Sequence, residues 1–163
     1  MAKIRLIDYT DKVKDMLESE KTAWLHTWGT EIASQAQRNC KMDDKGQLRG
    51  SYSCYVDEQK GEATIGTPLE AGYWEEFGTG EHAVDRSKSR SGWWVYVKGQ
   101  ASRGGGTTYA SQEEAQAVAD SMQEDGLDAY ATNGRDPQHT LENAFLVTEP
   151  KMEADLQSRL NKK

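Results

Sequence analysis

What the 163-residue sequence has least of is aliphatic bulk. Leu, Ile, Val and Phe together number 23, about 14% of the chain and below the usual globular range. Alone, that scarcity points towards disorder, but five Trp and seven Tyr answer it, because each ring buries a large apolar area while keeping a polar tip. A core thin in aliphatics and rich in amphipathic rings suits a protein that finishes its packing against neighbours. No apolar run approaches the roughly 18 residues that would suggest a membrane span. The amino-terminal "MAKIRLIDYTDKVKD" lacks the apolar core and small-residue cleavage site of a secretory signal. Synthesis in the cytoplasm, with no membrane partner, is the expectation. There are only two cysteines, Cys40 and Cys54, and no CxxC pair. That spacing indicates neither a zinc site nor a disulfide framework, and each is expected to be a reduced, buried or half-buried thiol.

Acid is missing from one stretch. Between Asp85 and Glu113 there is none, while Arg86, Lys88, Arg90, Lys98 and Arg103 supply five positive charges, so the net −7 of the chain conceals −12 over the rest. An acidic chain does not bind nucleic acid over its whole surface. The basic 86–103 segment is read as a solvated loop, with a local contact to phosphate or to an acidic partner as the competing reading.

Residues 11–40 predict one long helix. Val13, Leu17, Trp24, Trp28, Ile32 and Ala36 fall on one stripe, widened by Met16 and Leu25. Gly29 is its weak point and a candidate kink. "MDDKGQLRG" reads as a turn. "SYSCYVDE" alternates as a strand, with Tyr52, Cys54 and Val56 on one face, and "EATIGTP" returns to close a β-hairpin. "EAGYWEEFG" alternates too and predicts a third strand, in which Tyr73, Glu75 and Phe77 face opposite to Trp74 and Glu76. Phe77 is then a buried anchor. Gly78-Thr79-Gly80 permits positive φ and a close backbone approach, so an abrupt turn follows.

"WWVYVKG" is the strongest strand signal, and the glycine-rich 101–106 stretch reads as a flexible connection. Ser111 and Glu114 form a capping box for a helix with Ala115, Val118, Ala119 and Met122 on its apolar stripe and Gly126 at its end. "LDAYAT" is a short strand. Asp136-Pro137 predicts the start of another helix, with Leu141, Ala144 and Phe145 inward, and a final helix from Pro150 packs Met152, Leu156 and Leu160. The fold class expected is α+β: a small mixed or antiparallel sheet packed by a long N-terminal helix and a C-terminal helix, with a strand-helix-strand insertion. Residues 1–163 form one domain in this reading, and 101–130 are an inserted peripheral module.

The chemistry on offer is sparse. His26, His82 and His139 are scattered and form no HxxxH or HExxH pattern. Glu81-His82 after the glycine turn is a candidate fragment of a site, and a plain exposed histidine is the simpler reading. As strand neighbours, Glu75 and Glu76 point apart and cannot work as a carboxylate pair. No GxSxG elbow is present, and "SRGGGTT" lacks the lysine of a phosphate cradle. No catalytic residue, metal site or cofactor site is assigned, and a non-enzymatic protein is expected.

The order of motifs does resemble a known family. "KGQLRGSYSCYV" followed by "ATIGTPLEAGYWEEFGTG" is similar to the minor structural neck proteins of long-tailed bacteriophages, the tail-completion or head–tail joining family. Gly46, Leu48, Arg49 and Ser51 match its first motif, and Gly66, Tyr73, Glu76, Phe77, Gly78, Thr79 and Gly80 its second. "WWVYV" and "ATNGRDPQHTLENAF" resemble later elements of some members. Lys45 and the Ala71–Trp74 stretch depart from the pattern, and 101–130 is an addition to it.

The resemblance implies a non-enzymatic virion component at the neck, forming a homo-oligomeric ring, expected to be a hexamer. Its partners would be phage head-completion or connector proteins and tail-tube or tail-terminator proteins, with DNA passing through the lumen without sequence-specific binding. Tyr73, Trp74, Glu76, Phe77, Gly78, Thr79, Gly80, Leu48 and Arg49 are the candidate subunit or partner contacts. A small soluble binding or regulatory module unrelated to virions is the alternative.

Overall fold

The computed structural model describes residues 9–41, 46–99 and 106–161. The Met42–Lys45 part of the predicted turn and most of the 101–106 connection lie outside the described residues. The chain divides into two compact units, residues 1–69 with 140–163, and residues 70–139. The expected α+β class holds, with a long N-terminal helix, small antiparallel sheets and a C-terminal helix. The expected sheet is divided: among the described residues the strands form three separate two-stranded antiparallel ribbons.

In the first unit, α1 (Thr10–Asn39) runs uninterrupted through Gly29, with Asp11 in its first turn and Arg38 in its last, charges placed to suit the helix dipole. Its burial lies in the C-terminal half, at Gly29, Ile32, Ala33 and Ala36. The small residues among them admit the hairpin of β1 (Ser53–Asp57) and β2 (Glu62–Gly66), registered Tyr55↔Thr64 and Asp57↔Glu62. Gly29 is therefore a point of close approach: a Cβ there would sit 2.3 Å from the Cys54 sulfur. Residues 47–50, expected in a turn, and Ser51, expected to open the strand, form a short helix α2 (Gln47–Ser51) that buries Leu48. Arg49 Nη2 donates to the Cys40 carbonyl at 3.2 Å, serving one of the carbonyls that a helix end leaves unpaired.

The C-terminal helix α5 (Thr140–Asn161) is one helix, not two, and Pro150 lies inside it. Its start is later than predicted. Asp136 is bonded to His82 at 2.7 Å instead of capping, and His139 has φ +50, which breaks helical geometry until Thr140. The helix runs antiparallel to α1: Asn39 donates to the Thr140 carbonyl, Trp28 Nε1 donates to Asp155 at 2.9 Å, and Arg159 reaches both Asp155 and Glu20 at 2.9 Å. Those two carboxylates, Asp155 first, raise the Arg159 pKa. Ala144 and Thr148 are buried, whereas Phe145, Leu156 and Leu160, expected inward, are exposed. Aligned by the Arg159 network, the α5 face towards α1 is the stripe of Thr140, Ala144, Thr148 and Asp155. Leu141, Glu149, Met152 and Arg159 are half-buried, and most of the remaining side chains are left to solvent.

The second unit opens with α3 (Glu70–Phe77), followed by β3 (Thr79–Gly80), β4 (Trp94–Val97), α4 (Gln112–Glu124), β5 (Ala129–Thr132) and β6 (Gly134–Arg135). The capping box forms as expected: the Ser111 hydroxyl accepts from the Glu114 N–H at 3.2 Å. Glu114 in turn accepts from Ala110 N–H. Ala115 and Ala119 are fully buried beside Ala129 of β5, the helix's packing partner. β4 and β5 pair with Tyr96 opposite Tyr130, their rings 5.6 Å apart.

Candidate subunit-contact site

The predicted third strand is a helix. Tyr73 and Phe77 are one helical turn apart and meet with ring centroids 4.9 Å apart and planes tilted at 50°, as i,i+4 side chains on a helix can. The helix also reverses the expected burial. Tyr73, Trp74 and Phe77 are 48%, 37% and 41% exposed, while Glu75 is fully buried and Glu76 nearly so. Phe77 is therefore not a buried anchor, and the two carboxylates are not on opposite strand faces. Both turn inward and the rings turn out.

Glu75 is held from both ends. Its carboxylate lies 3.6 Å from the Arg135 guanidinium, and its carbonyl accepts from Gln138 N–H at 2.8 Å. Taking a carboxylate out of water costs several kcal/mol unless charge and hydrogen bonds compensate it, so the Arg135 contact ties α3 to β6. This makes Glu75 a structural strap.

The glycine turn does what its sequence indicated, within the chain. Gly78 and Gly80 have φ +73 and +62, which L side chains rarely adopt. Thr79 and Gly80 pair with Arg135 and Gly134, and the Thr79 hydroxyl accepts from Arg135 N–H at 3.1 Å. A Cβ on Gly80 would come within 2.0 Å of the Asn133 carbonyl oxygen, and one on Gly134 within 2.1 Å of that of Thr79. The close approach is thus between two distant motifs of one chain, Gly-Thr-Gly and Asn-Gly-Arg-Asp.

A polar cluster closes the same ribbon. His82 Nδ1 lies 2.7 Å from Asp136 and Nε2 lies 3.3 Å from Asn133 Oδ1, while Asn133 Nδ2 donates to Glu81 at 3.3 Å. Glu81 also accepts from Gly92 N–H. Sequence reasoning named His82 as a candidate fragment of a site but read Asp136 only as a helix start and did not single out Asn133; both lie more than fifty residues away. The repeated glycines at 78, 80 and 134 were the available signal.

Of the candidate contact residues, Tyr73, Trp74 and Phe77 share one exposed aromatic surface on α3, and Gly78, Thr79 and Gly80 form the ribbon beside it. Glu76 is buried. Leu48 and Arg49 belong to the first unit, where Leu48 is core and Arg49 supports the end of α1. Elsewhere in the second unit, Arg90 lies over the Trp94 ring at 5.3 Å, and Asp128, by hydrogen bond and charge, raises the pKa of the Tyr130 phenol. Among the described residues no helix is long and apolar enough to cross a membrane.

Residues 4–78 match the sequence model of the HK97-gp10-like family, described as "Bacteriophage HK97-gp10, putative tail-component". The match spans the long helix, the hairpin and α3, and stops at the first glycine of the turn. No curated protein and no solved structure matches the chain significantly. Over that stretch, which is less than half of the chain, the protein is similar to this family of phage tail components.

Proposed function

We propose that this chain is a non-enzymatic structural component of the head–tail junction of a phage particle, acting as a homo-oligomeric ring, expected to be hexameric, that completes or joins the tail. Its neighbours would be head-completion or connector proteins on one side and tail-tube or tail-terminator proteins on the other. The observation that carries this reading is the family match over residues 4–78. The outward Tyr73, Trp74 and Phe77 rings give it a surface to act through, since exposed aromatic clusters are typical anchors of protein interfaces. A net charge of −7 suits a lumen through which DNA must move, because a basic wall would hold phosphate by counterion release. Electron microscopy of particles from a phage lacking this gene tests it. The expected result is DNA-filled heads apart from tails, or tails of faulty length; normal joined infectious particles would sink the reading.

A further inference from the structure

The face of α1 that α5 covers does not end where α5 ends. Arg159 meets Glu20 two residues before α5 stops at Asn161. Because the two helices are antiparallel, residues 10–17 of α1 run past their partner. The covered stripe continues there as Val13, Met16 and Leu17, which are 48%, 59% and 50% exposed. Helical spacing places Lys12 and Lys14 on the two flanks of this overhang and turns Asp11, Asp15 and Glu18 to its back. The overhang is thus an apolar strip edged by positive charge.

The outer face of α5 is its complement. Opposite the buried Ala144 and Thr148, that helix presents Phe145, Leu146 and Leu156 to solvent, with Glu149 and Glu153 set among them on the same side. It is an apolar strip carrying negative charge. The two strips cannot meet within one chain, because α5 gives α1 its other face.

We infer that the α1 overhang of one copy docks on the outer face of α5 of a second copy, with Lys12 and Lys14 facing Glu149 and Glu153. The contact joins two different patches, so it is head-to-tail and leaves each subunit able to bind a further one, which generates a closed ring or a filament. The contact stands on the apolar strips and their charges; only its closure into a ring rests on the proposed neck function.

Sedimentation velocity of the full chain over a range of concentrations tests it, using the charge reversals Lys12→Glu/Lys14→Glu and Glu149→Lys/Glu153→Lys. Lys12, Lys14 and Glu153 are exposed and Glu149 is half-buried, and thermal melting checks that each variant folds. The wild-type chain is expected to self-associate, and each reversed chain to do so about tenfold less tightly, since like charges then face each other. An equimolar mixture of the two reversed chains should recover association, because both alternating contacts regain opposite charges. Val13→Asp/Leu17→Asp should abolish association in every background.

A wild-type chain that stays monomeric at all concentrations overturns the proposal, and so does a mixture that shows no recovery. Loss of association on reversing α1 but not α5 also overturns it, and would instead indicate α1 pairing with its own copy or with the first eight residues. Whether the chain is present in purified particles is measured separately. Its absence there would refute the neck function while leaving this contact standing.

Discussion

Gly29→Ala is the substitution whose outcome the structure constrains most tightly. In the middle of a 30-residue helix, Ala in place of Gly should stabilise by about 1 kcal/mol through propensity alone. Here the new methyl would lie 2.3 Å from the Cys54 sulfur, with the Cys54 and Ala63 Cβ atoms at an ordinary 3.5 Å. Forcing extra volume into such a contact costs about 1–3 kcal/mol, so the net effect should be a loss of roughly 0–2 kcal/mol. The obstacle is one sulfur atom. In a Cys54→Ala background the same change should therefore turn stabilising by up to about 1 kcal/mol, which makes the two sites coupled by roughly 1–3 kcal/mol. Urea unfolding of the four proteins, followed by fluorescence of Trp24 and Trp28 on the same helix, gives the cycle. A coupling below about 0.5 kcal/mol, or equal destabilisation in both backgrounds, would refute the account of Gly29 as a close-approach glycine.

Glu75→Ala should destabilise the second unit more than Phe77→Ala, by about 3 kcal/mol for loss of a buried paired carboxylate with a half-exposed partner against about 1 kcal/mol for an exposed ring, read by chemical unfolding. Phe77→Ala should instead show its effect in particle incorporation. Gly80→Ala and Gly134→Ala should each prevent native pairing of β3 with β6, because the added methyls meet backbone oxygens at 2.0 and 2.1 Å; amide exchange at Thr79 and Arg135 reports it, and retained protection would count against the ribbon. Burial raises the Cys54 thiol pKa, so its alkylation should lag behind that of a free thiol as pH rises. Because burial penalises the thiolate, folding stability is unaffected below the ordinary thiol pKa and falls as pH climbs from there through the raised one, which unfolding measurements on either side of that range would detect. Replacing residues 101–130 by a short Gly-Ser linker removes Ala129 and Tyr130, the partners of Val97 and Tyr96; the first unit should keep its cooperative melting, and its loss would show that the segment is not peripheral.

How much of this could be read in advance varied with the range of the forces involved. The long helix, the hairpin and the Ser111–Glu114 capping box depend on neighbours a few residues apart, and they formed where expected. The stretch "GYWEEF" misled because its pairs of aromatics and acids fit the period of a strand as well as that of a short helix. What decides it is burial: Glu75 is drawn inward to Arg135, a residue sixty positions later that no local pattern reveals. The same holds for the site. Positive φ at Gly78 and Gly80 was visible in the glycines themselves, but the partner strand at Gly134-Arg135 was not. Pro150 marked a helix boundary by local rule, and the packing of α5 along α1 carried the helix through it.

The split of the first unit has a consequence for synthesis. Its last helix follows the whole seventy-residue second unit, Glu70 to His139, so while that stretch is being made α1 lacks its α5 partner and Trp28 its Asp155 acceptor. At roughly 5–20 residues per second on the ribosome the exposed tryptophan face waits several seconds, and the nascent chain is most prone to misassociation in that interval. The β3–β6 ribbon shortens the wait in another sense. By clasping Thr79 to Arg135 it turns a seventy-residue tether into one of about thirteen, which lowers the entropic cost of bringing α5 home by about 1.5 kcal/mol. A clasp that looks local thus lowers the cost of returning the final helix to α1 once the second unit has closed.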